Sequence, residues 1–380
     1  MESEASHQRP KRRKLRKLTQ IPSTSSNSIP TLPDELIAAI LVRVPVKYLL
    51  QFKCVSKNWF DLISSPEFVK THLSFSAKDY TRHISLLQFE RLEDSNMKYC
   101  SVSSLFHDDS VSEAFDLDCP MKNPPQGVYF SGSVNGLICL SNGFNELVIW
   151  NPSIRKFKKV LDFLPTQMGQ CWFNCGFGYD EVHDDYKVVG IFSSMIKANF
   201  EAMIYSLKND SLKTLEDFKP GLSYCGSPKF VKGKLHWITT RRGRQGITSI
   251  DLVDEKWGKL EQPCSYKEGD LNVGVLGGDL SVLCNSYERT HSDVWVMKEY
   301  GVKESWTKLY TIRFPENYTL SPPLFMYNEG EILFVFESTF AIYNTKNDSI
   351  TYREVTNVDD SIEAELCIES LVCPDLQNND

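Results

Sequence analysis

The sequence predicts a mainly β protein with a small all-α module near its N-terminus, followed by a β-propeller of six blades. Three observations carry this reading: one short stretch of helical periodicity, two strand markers that recur together at steps of 45 to 55 residues, and a length of 380 residues that exceeds one small core. The composition agrees with it. At 41% hydrophobic and 24% charged residues, the chain has enough apolar material for a packed interior and too little charge for wholesale disorder.

Residues 1–29 read as a disordered basic tail, rich in Lys and Arg and then in Ser, Thr, Asn and Pro, with few large apolar side chains to order it. Its run Lys11, Arg12, Arg13, Lys14, Arg16 and Lys17 is a candidate nuclear-import signal. Residues 1–17 carry a local charge of +5. The remainder holds 35 basic against 47 acidic side chains, a net of -12, which disfavours nucleic-acid binding by the globular part. No run approaches the roughly 20 apolar residues a bilayer requires, so no membrane span is expected and the compartment expected is cytoplasm, nucleus or both. The eleven cysteines are scattered, without a C-x-x-C pair, as expected of reduced thiols in an intracellular protein.

The first ordered element follows directly. Apolar residues at 32, 36, 37, 40, 41 and 44 share one helical face; Pro33, Asp34 and Glu35 suit a helix start, and Pro45 ends the run. A second helix is expected over Val46 to Cys54, and a third after a capping Ser56, ending at Ser64-Ser65-Pro66. Three short helices cannot cover so many large apolar groups among themselves, which implies a face completed by another protein. The motif Leu32-Pro33-x-x-Leu36, Ile40-Leu41-x-x-Val44-Pro45, Leu49-Leu50-x-Phe52-x-Cys54-Val55-Ser56-Lys57-x-Trp59 and Pro66-x-Phe68 resembles an F-box, placed over residues 30–74. The resemblance implies docking to a Skp-type adaptor through Leu32, Pro33, Leu36, Ile40, Leu41, Pro45, Leu49, Leu50, Cys54, Val55 and Trp59. Tyr48 and Gln51 stand where Ser and Arg are usual in that family.

From about residue 80 the language becomes that of strands. A turn followed by an apolar strand recurs at 136, 185, 233, 278 and 330, in steps of 49, 48, 45 and 52. A second marker recurs at 150, 205, 250, 295 and 343, in steps of 55, 45, 45 and 48. Two hairpins per repeat of this length describe propeller blades, each a sheet that hides its faces only when neighbours stack on it. Residues 83–89 and 97–102 supply a first blade, making six, and Cys367–Val372 is expected to close the ring on it.

Within residues 80–374, five segments resemble the plant F-box associated interaction domain, of kelch-like character: Gly132-Ser133-x-Asn135-Gly136-Leu137, Trp150-Asn151-Pro152-Ser153-x-Arg155-Lys156, Gly176-Phe177-Gly178-Tyr179-Asp180 with Asp184-Asp185-Tyr186-Lys187-Val188-Val189, Leu235-His236-Trp237, and Val294-Trp295-Val296-Met297-Lys298 through Trp306. Ile154 stands where Thr is usual and carries no expected role. The two resemblances together imply a substrate-recognition subunit of a Skp-cullin-F-box ubiquitin ligase, with the adaptor, and through it cullin and RING subunits, at one end and an unidentified protein substrate at the other.

Side-chain chemistry gives no competing enzyme. There is no H-E-x-x-H, G-x-S-x-G or P-loop, and Gly176-Phe177-Gly178 lacks the third glycine of a dinucleotide fingerprint. Cys171, Cys175 and His183 fit no common zinc spacing, Asp184-Asp185 reads as a turn, His236 as a satisfied strand residue, and Trp150, Trp237, Trp295 and Trp306 as core. No metal or cofactor is expected. The alternatives are a scaffold outside any ligase and an enzyme with a site in the propeller's central channel. One loop stands out, since Arg241, Arg242 and Arg244 are a candidate contact for an acidic partner.

Overall fold

The computed structural model describes residues 32–89, 97–106, 112–122, 127–143, 146–160, 163, 171–194, 200–216, 218, 223–264, 269–314, 320–328, 330–336, 339–358 and 362–375. The basic tail with Lys11, Arg12, Arg13, Lys14, Arg16 and Lys17 lies outside them.

The helical module contains α1 (Asp34–Leu41), α2 (Val46–Phe52), α3 (Lys57–Ser64) and α4 (Pro66–Ser76). Pro33 and Pro45 sit one residue before α1 and α2, in extended backbone, and each carbonyl accepts from amides of the first turn, at 3.0 Å from Leu36 and from Tyr48. Ser56 caps α3 by accepting from the Trp59 amide at 3.2 Å. The fourth helix was not expected. Ser64-Ser65-Pro66 reads as a break, yet Ser65 accepts from the Phe68 amide at 3.3 Å while Pro66 occupies the first helical position, so the same residues start a helix.

The rest of the chain is a six-bladed propeller of four-stranded antiparallel sheets. Blades 2 to 6 run in chain order over residues 129–160, 171–214, 223–260, 269–313 and 325–353. Blade 1 combines strands at 83–89, 98–101 and 115–116 with the late strand Ile362–Ile368, whose register pairs His83 with Ile368 and Phe89 with Ile362. The ring is therefore closed by a C-terminal strand on blade 1, as expected, but that strand lies earlier than Cys367–Val372. Residues 369–373 leave the sheet and run beneath blade 2.

Apolar side chains of adjacent blades share their cores. Leu137, Cys139 and Ile149 of blade 2 meet Phe173, Phe177 and Val188 of blade 3, and Trp237 of blade 4 packs with Val189, Ile191 and Ile204. Trp150 and Trp237 are fully enclosed and Trp306 nearly so, its indole donating to the Glu261 carbonyl at 2.8 Å; Trp295 is partly buried beside the core of blades 4 and 5. The glycines of Gly176-Phe177-Gly178 serve close approach rather than phosphate binding. A Cβ on Gly178 would lie 2.5 Å from the Phe230 ring and 2.6 Å from Leu252, both on blade 4. Cys100, Cys119, Cys139, Cys175, Cys264, Cys284 and Cys367 are buried, and desolvation pushes the thiols of Cys100 and Cys367 up to about 12.

Candidate functional site

The helical module has two apolar faces. On the exposed one, Leu36 and Ile40 follow the i, i+4 spacing of α1 and Leu32 precedes it, and each leaves more than half its surface open. Leu50, Cys54 and Val55 continue the exposed set at the end of α2, with Val55 62% exposed, and Pro33 and Pro45 are exposed beside them. Trp59 is half-buried, its ring edge-on to Phe52 at 5.6 Å. Tyr48 and Phe60, not anticipated as site residues, are also about half exposed, with Lys53 over the Phe60 ring.

Leu41 and Leu49 are placed otherwise. Both are enclosed with Val42, Val46, Ile63 and Phe68, and this core is completed from the propeller by Leu371 and Ile154. They hold the helices together and offer no surface of their own. Ile154, read as without a role, is part of this seam.

Polar contacts fix the seam. Arg82, nearly fully buried, donates to the carbonyls of Arg43 and Val44, which follow α1, and pairs with Asp79 at 3.2 Å. A guanidinium is favoured there because unpaired carbonyls crowd a helix end. The Arg82 carbonyl accepts from the Glu369 amide at 3.1 Å, and the Glu369 carboxylate accepts from the Val46 amide at 3.4 Å, at the start of α2. Asn151 of Trp150-Asn151-Pro152 explains why residues 369–373 pass below blade 2: its Nδ2 donates to Ser370 O at 3.0 Å and Val372 O at 2.8 Å. At Gly136, where φ is 77°, a Cβ would lie 2.5 Å from Ile368 O and from Ser370. On the surface, Lys70 of α4 pairs with Asp184 at 2.8 Å.

These contacts settle which end of the propeller carries the helices. Turns between first and second strands, at 135–136 and 181–184, face the module, so the hairpins between second and third strands, including 242–243 and 287–290, lie at the opposite end. Arg241, Arg242 and Arg244 are exposed there.

The axis between the two ends is filled by the innermost strands. Lys229 of blade 4 reaches Glu365 of blade 1 at 3.0 Å, directly across the ring, and Ser227 of blade 4 donates to Phe130 O of blade 2 at 3.2 Å. Residues considered for other chemistry are absorbed by the fold. Cys175 lies 2.8 Å from Ser131 Oγ, while His183 pairs with Asp180 at 2.7 Å; no group of three metal-binding side chains forms among the described residues. Asp184 sits in a tight turn with φ 51°, and Asp185 accepts from Ser206 at 2.6 Å and from the Lys208 amide at 2.9 Å.

Two titrating groups predict acid sensitivity. His236 is buried with Nδ1 3.2 Å from Lys229 O and Nε2 2.7 Å from the Tyr300 hydroxyl, and burial lowers its pKa to about 4. The folded state thus excludes a proton that the unfolded chain accepts near 6.5, and stability present above that pH falls as pH drops from 6.5 to 4. That span corresponds to about 3 kcal/mol. At Asp180, burial opposes the charge, but the Lys187 ammonium at 2.8 Å and His183 outweigh it and hold the carboxyl at about 2, so its contribution is lost only below about pH 4. Urea unfolding of the full chain across pH 7 to 4 should show falling stability, with a flatter dependence in His236→Gln.

A helical module with a bare apolar face, seated on one end of a propeller whose axis is filled, defines a two-ended β-propeller protein with separate surfaces at its two ends. Residues 29–71 match the F-box domain and residues 89–374 the F-box associated beta propeller domain, and the chain belongs to this family of F-box proteins. It is 28% identical over 378 residues to F-box protein CPR1 of Arabidopsis thaliana, covering 90% of this chain and 89% of that protein. It is 29% identical over 354 residues to F-box/kelch-repeat protein At3g23880 of the same plant, covering 90% and 96%. Among the described residues, no helix is long and apolar enough to cross a membrane.

Proposed function

We propose that this chain is the substrate receptor of a Skp-cullin-F-box ubiquitin ligase, a non-catalytic subunit acting in cytoplasm, nucleus or both. The observation that carries the reading is the stripe of Leu32, Leu36 and Ile40, left uncovered on a module whose other face is committed to the propeller. That stripe, with Pro33, Pro45, Leu50, Cys54, Val55 and the rim of Trp59, docks a Skp-type adaptor and through it cullin and RING subunits; Tyr48 and Phe60 extend it. Leu41 and Leu49 support the contact from within. The far end of the propeller captures a protein to be ubiquitinated and degraded. Catalysis then comes from proximity, because tethering a substrate lysine near a charged ubiquitin carrier raises its effective concentration without a catalytic side chain here. An enzyme with a ligand in the central channel is disfavoured by Lys229 and Glu365, which meet where that ligand would lie.

Comparative proteomics of cells expressing the full chain or its Leu36→Asp/Ile40→Asp variant tests the proposal. Adaptor and cullin should co-purify with the full chain alone, while proteins that accumulate and co-purify with the variant are substrates. Equal recovery of adaptor and cullin with both forms would refute it.

A further inference from the structure

We propose that the propeller end opposite the helical module binds an acidic, Asp- and Glu-rich segment of a partner protein through Arg241, Arg242 and Arg289, on two neighbouring hairpins. The proposal rests on the receptor reading above and names the class of chain it captures. The first hairpin joins the second and third strands of blade 4, and the second hairpin, residues 287–290, does the same in blade 5. Gln245, beside the first, accepts from the Leu271 amide of blade 5 at 3.0 Å and links the two blades at this end.

Three arginines elsewhere in the chain are committed to the fold. Arg43, Arg82 and Arg353 each donate to a backbone carbonyl and serve the fold. The side chains of Arg241, Arg242 and Arg289 are exposed and make no hydrogen bond or ion pair among the described residues, while Arg244, also exposed on the first hairpin, does have a partner. Within residues 241–244 and 287–290, Glu288 is the single acidic residue against four arginines, on a chain whose residues beyond the first 17 carry a net -12. A local basic patch on such a body recruits anions by field as well as by contact.

The arrangement also selects among anions. Arg242 and Arg289 occupy left-handed turn positions, with φ of 52° and 51°, so tight turns present their side chains. The guanidiniums are divided between hairpins of two blades. A single phosphoryl group needs convergent donors, whereas an extended run of carboxylates can meet dispersed forks one after another. Tyr287, 61% exposed on the second hairpin, adds an aromatic surface for the apolar parts of the same segment. The acidic body around the patch would repel a nucleic acid that extends past it.

Fluorescence anisotropy of the full chain bound to its adaptor tests this with four probes: an acidic Glu/Ser peptide of about 12 residues, its Gln/Ser counterpart, the Gln/Ser peptide with one phosphoserine, and a single-stranded oligonucleotide of similar length. The Glu/Ser peptide should bind at least roughly ten-fold tighter than the Gln/Ser peptide, and binding should weaken with salt. Arg241→Glu/Arg242→Glu/Arg289→Glu should remove that preference without changing Tm or adaptor affinity. Undiminished Glu/Ser binding by the variant, or tighter binding of the phosphopeptide or the oligonucleotide, would overturn the proposal. Failure of the unmodified chain to bind its adaptor would instead count against the receptor reading.

Discussion

Leu49→Ala is expected to destabilise the helical module by about 3 kcal/mol, whereas Leu50→Ala, one residue along, should leave stability almost unchanged and weaken adaptor binding. Leu49 is fully enclosed by Leu41, Val46, Ile63, Phe68 and Leu371, and truncating a buried leucine loses both its transfer energy and the contacts around the cavity it leaves. Leu50 is 36% exposed, about 100° further round α2, where truncation removes surface that only a partner would cover. Amide hydrogen exchange of residues 46–63 should accelerate in Leu49→Ala alone. Adaptor affinity of the folded Leu50→Ala chain should fall roughly ten-fold, as expected for an apolar contact at an interface. The reverse split, with Leu50 controlling stability, would show that the two faces of α2 have been misassigned. Replacing both leucines at once would merge the effects and separate nothing.

The second large effect is expected at Arg82. Its guanidinium joins the carbonyls that follow α1 to Asp79, while its backbone carbonyl holds Glu369, so it spans the seam between the helices and the closing strand. Arg82→Met keeps the apolar stem and removes every donor, leaving the Arg43 carbonyl without its partner and Val44 O with His72 Nε2 alone, at 3.0 Å, at a cost of about 2 to 3 kcal/mol. Arg82→Lys should not restore the seam, because one ammonium cannot reproduce a planar fork of donors. Exchange at residues 42–46 and 369–372 should rise in both variants while exchange in blades 3 to 5 stays unchanged. A uniform rise across the propeller would mean that Arg82 supports the whole fold rather than the seam.

Much of this architecture is legible in the sequence. The blade period survived because each repeat needs the same turn and the same apolar strand to cover its neighbour, and the helical module because its capping and periodicity agree. Position-specific roles were not legible where they depend on distant partners. Leu49 and Leu50 are identical in sequence terms, and the packing of α1, α3, α4 and Leu371 around α2 decides which is core. The closing strand lies earlier than the apolar run Cys367–Val372 predicts because Leu371 and Val372 are apolar for a different reason, one entering the helical core and the other packing beside blades 2 and 3. The true strand, Ile362–Ile368, carries Glu363 and Glu365, and the second of these is accommodated by Lys229 across the ring. Ser65-Pro66 can end one helix or start another, so local chemistry alone left α4 open. The seam residues Arg82, Asn151 and Ile154 gain their importance from partners tens to hundreds of positions away.

The most direct test of the central claim is the mass, by light scattering, of the species formed when the purified full chain is mixed with a plant Skp-type adaptor. The account predicts a one-to-one complex, lost in Leu36→Asp/Ile40→Asp and retained in Arg241→Glu/Arg242→Glu/Arg289→Glu. Two separate species with the unmodified chain, or a complex that survives the α1 substitutions, would contradict it.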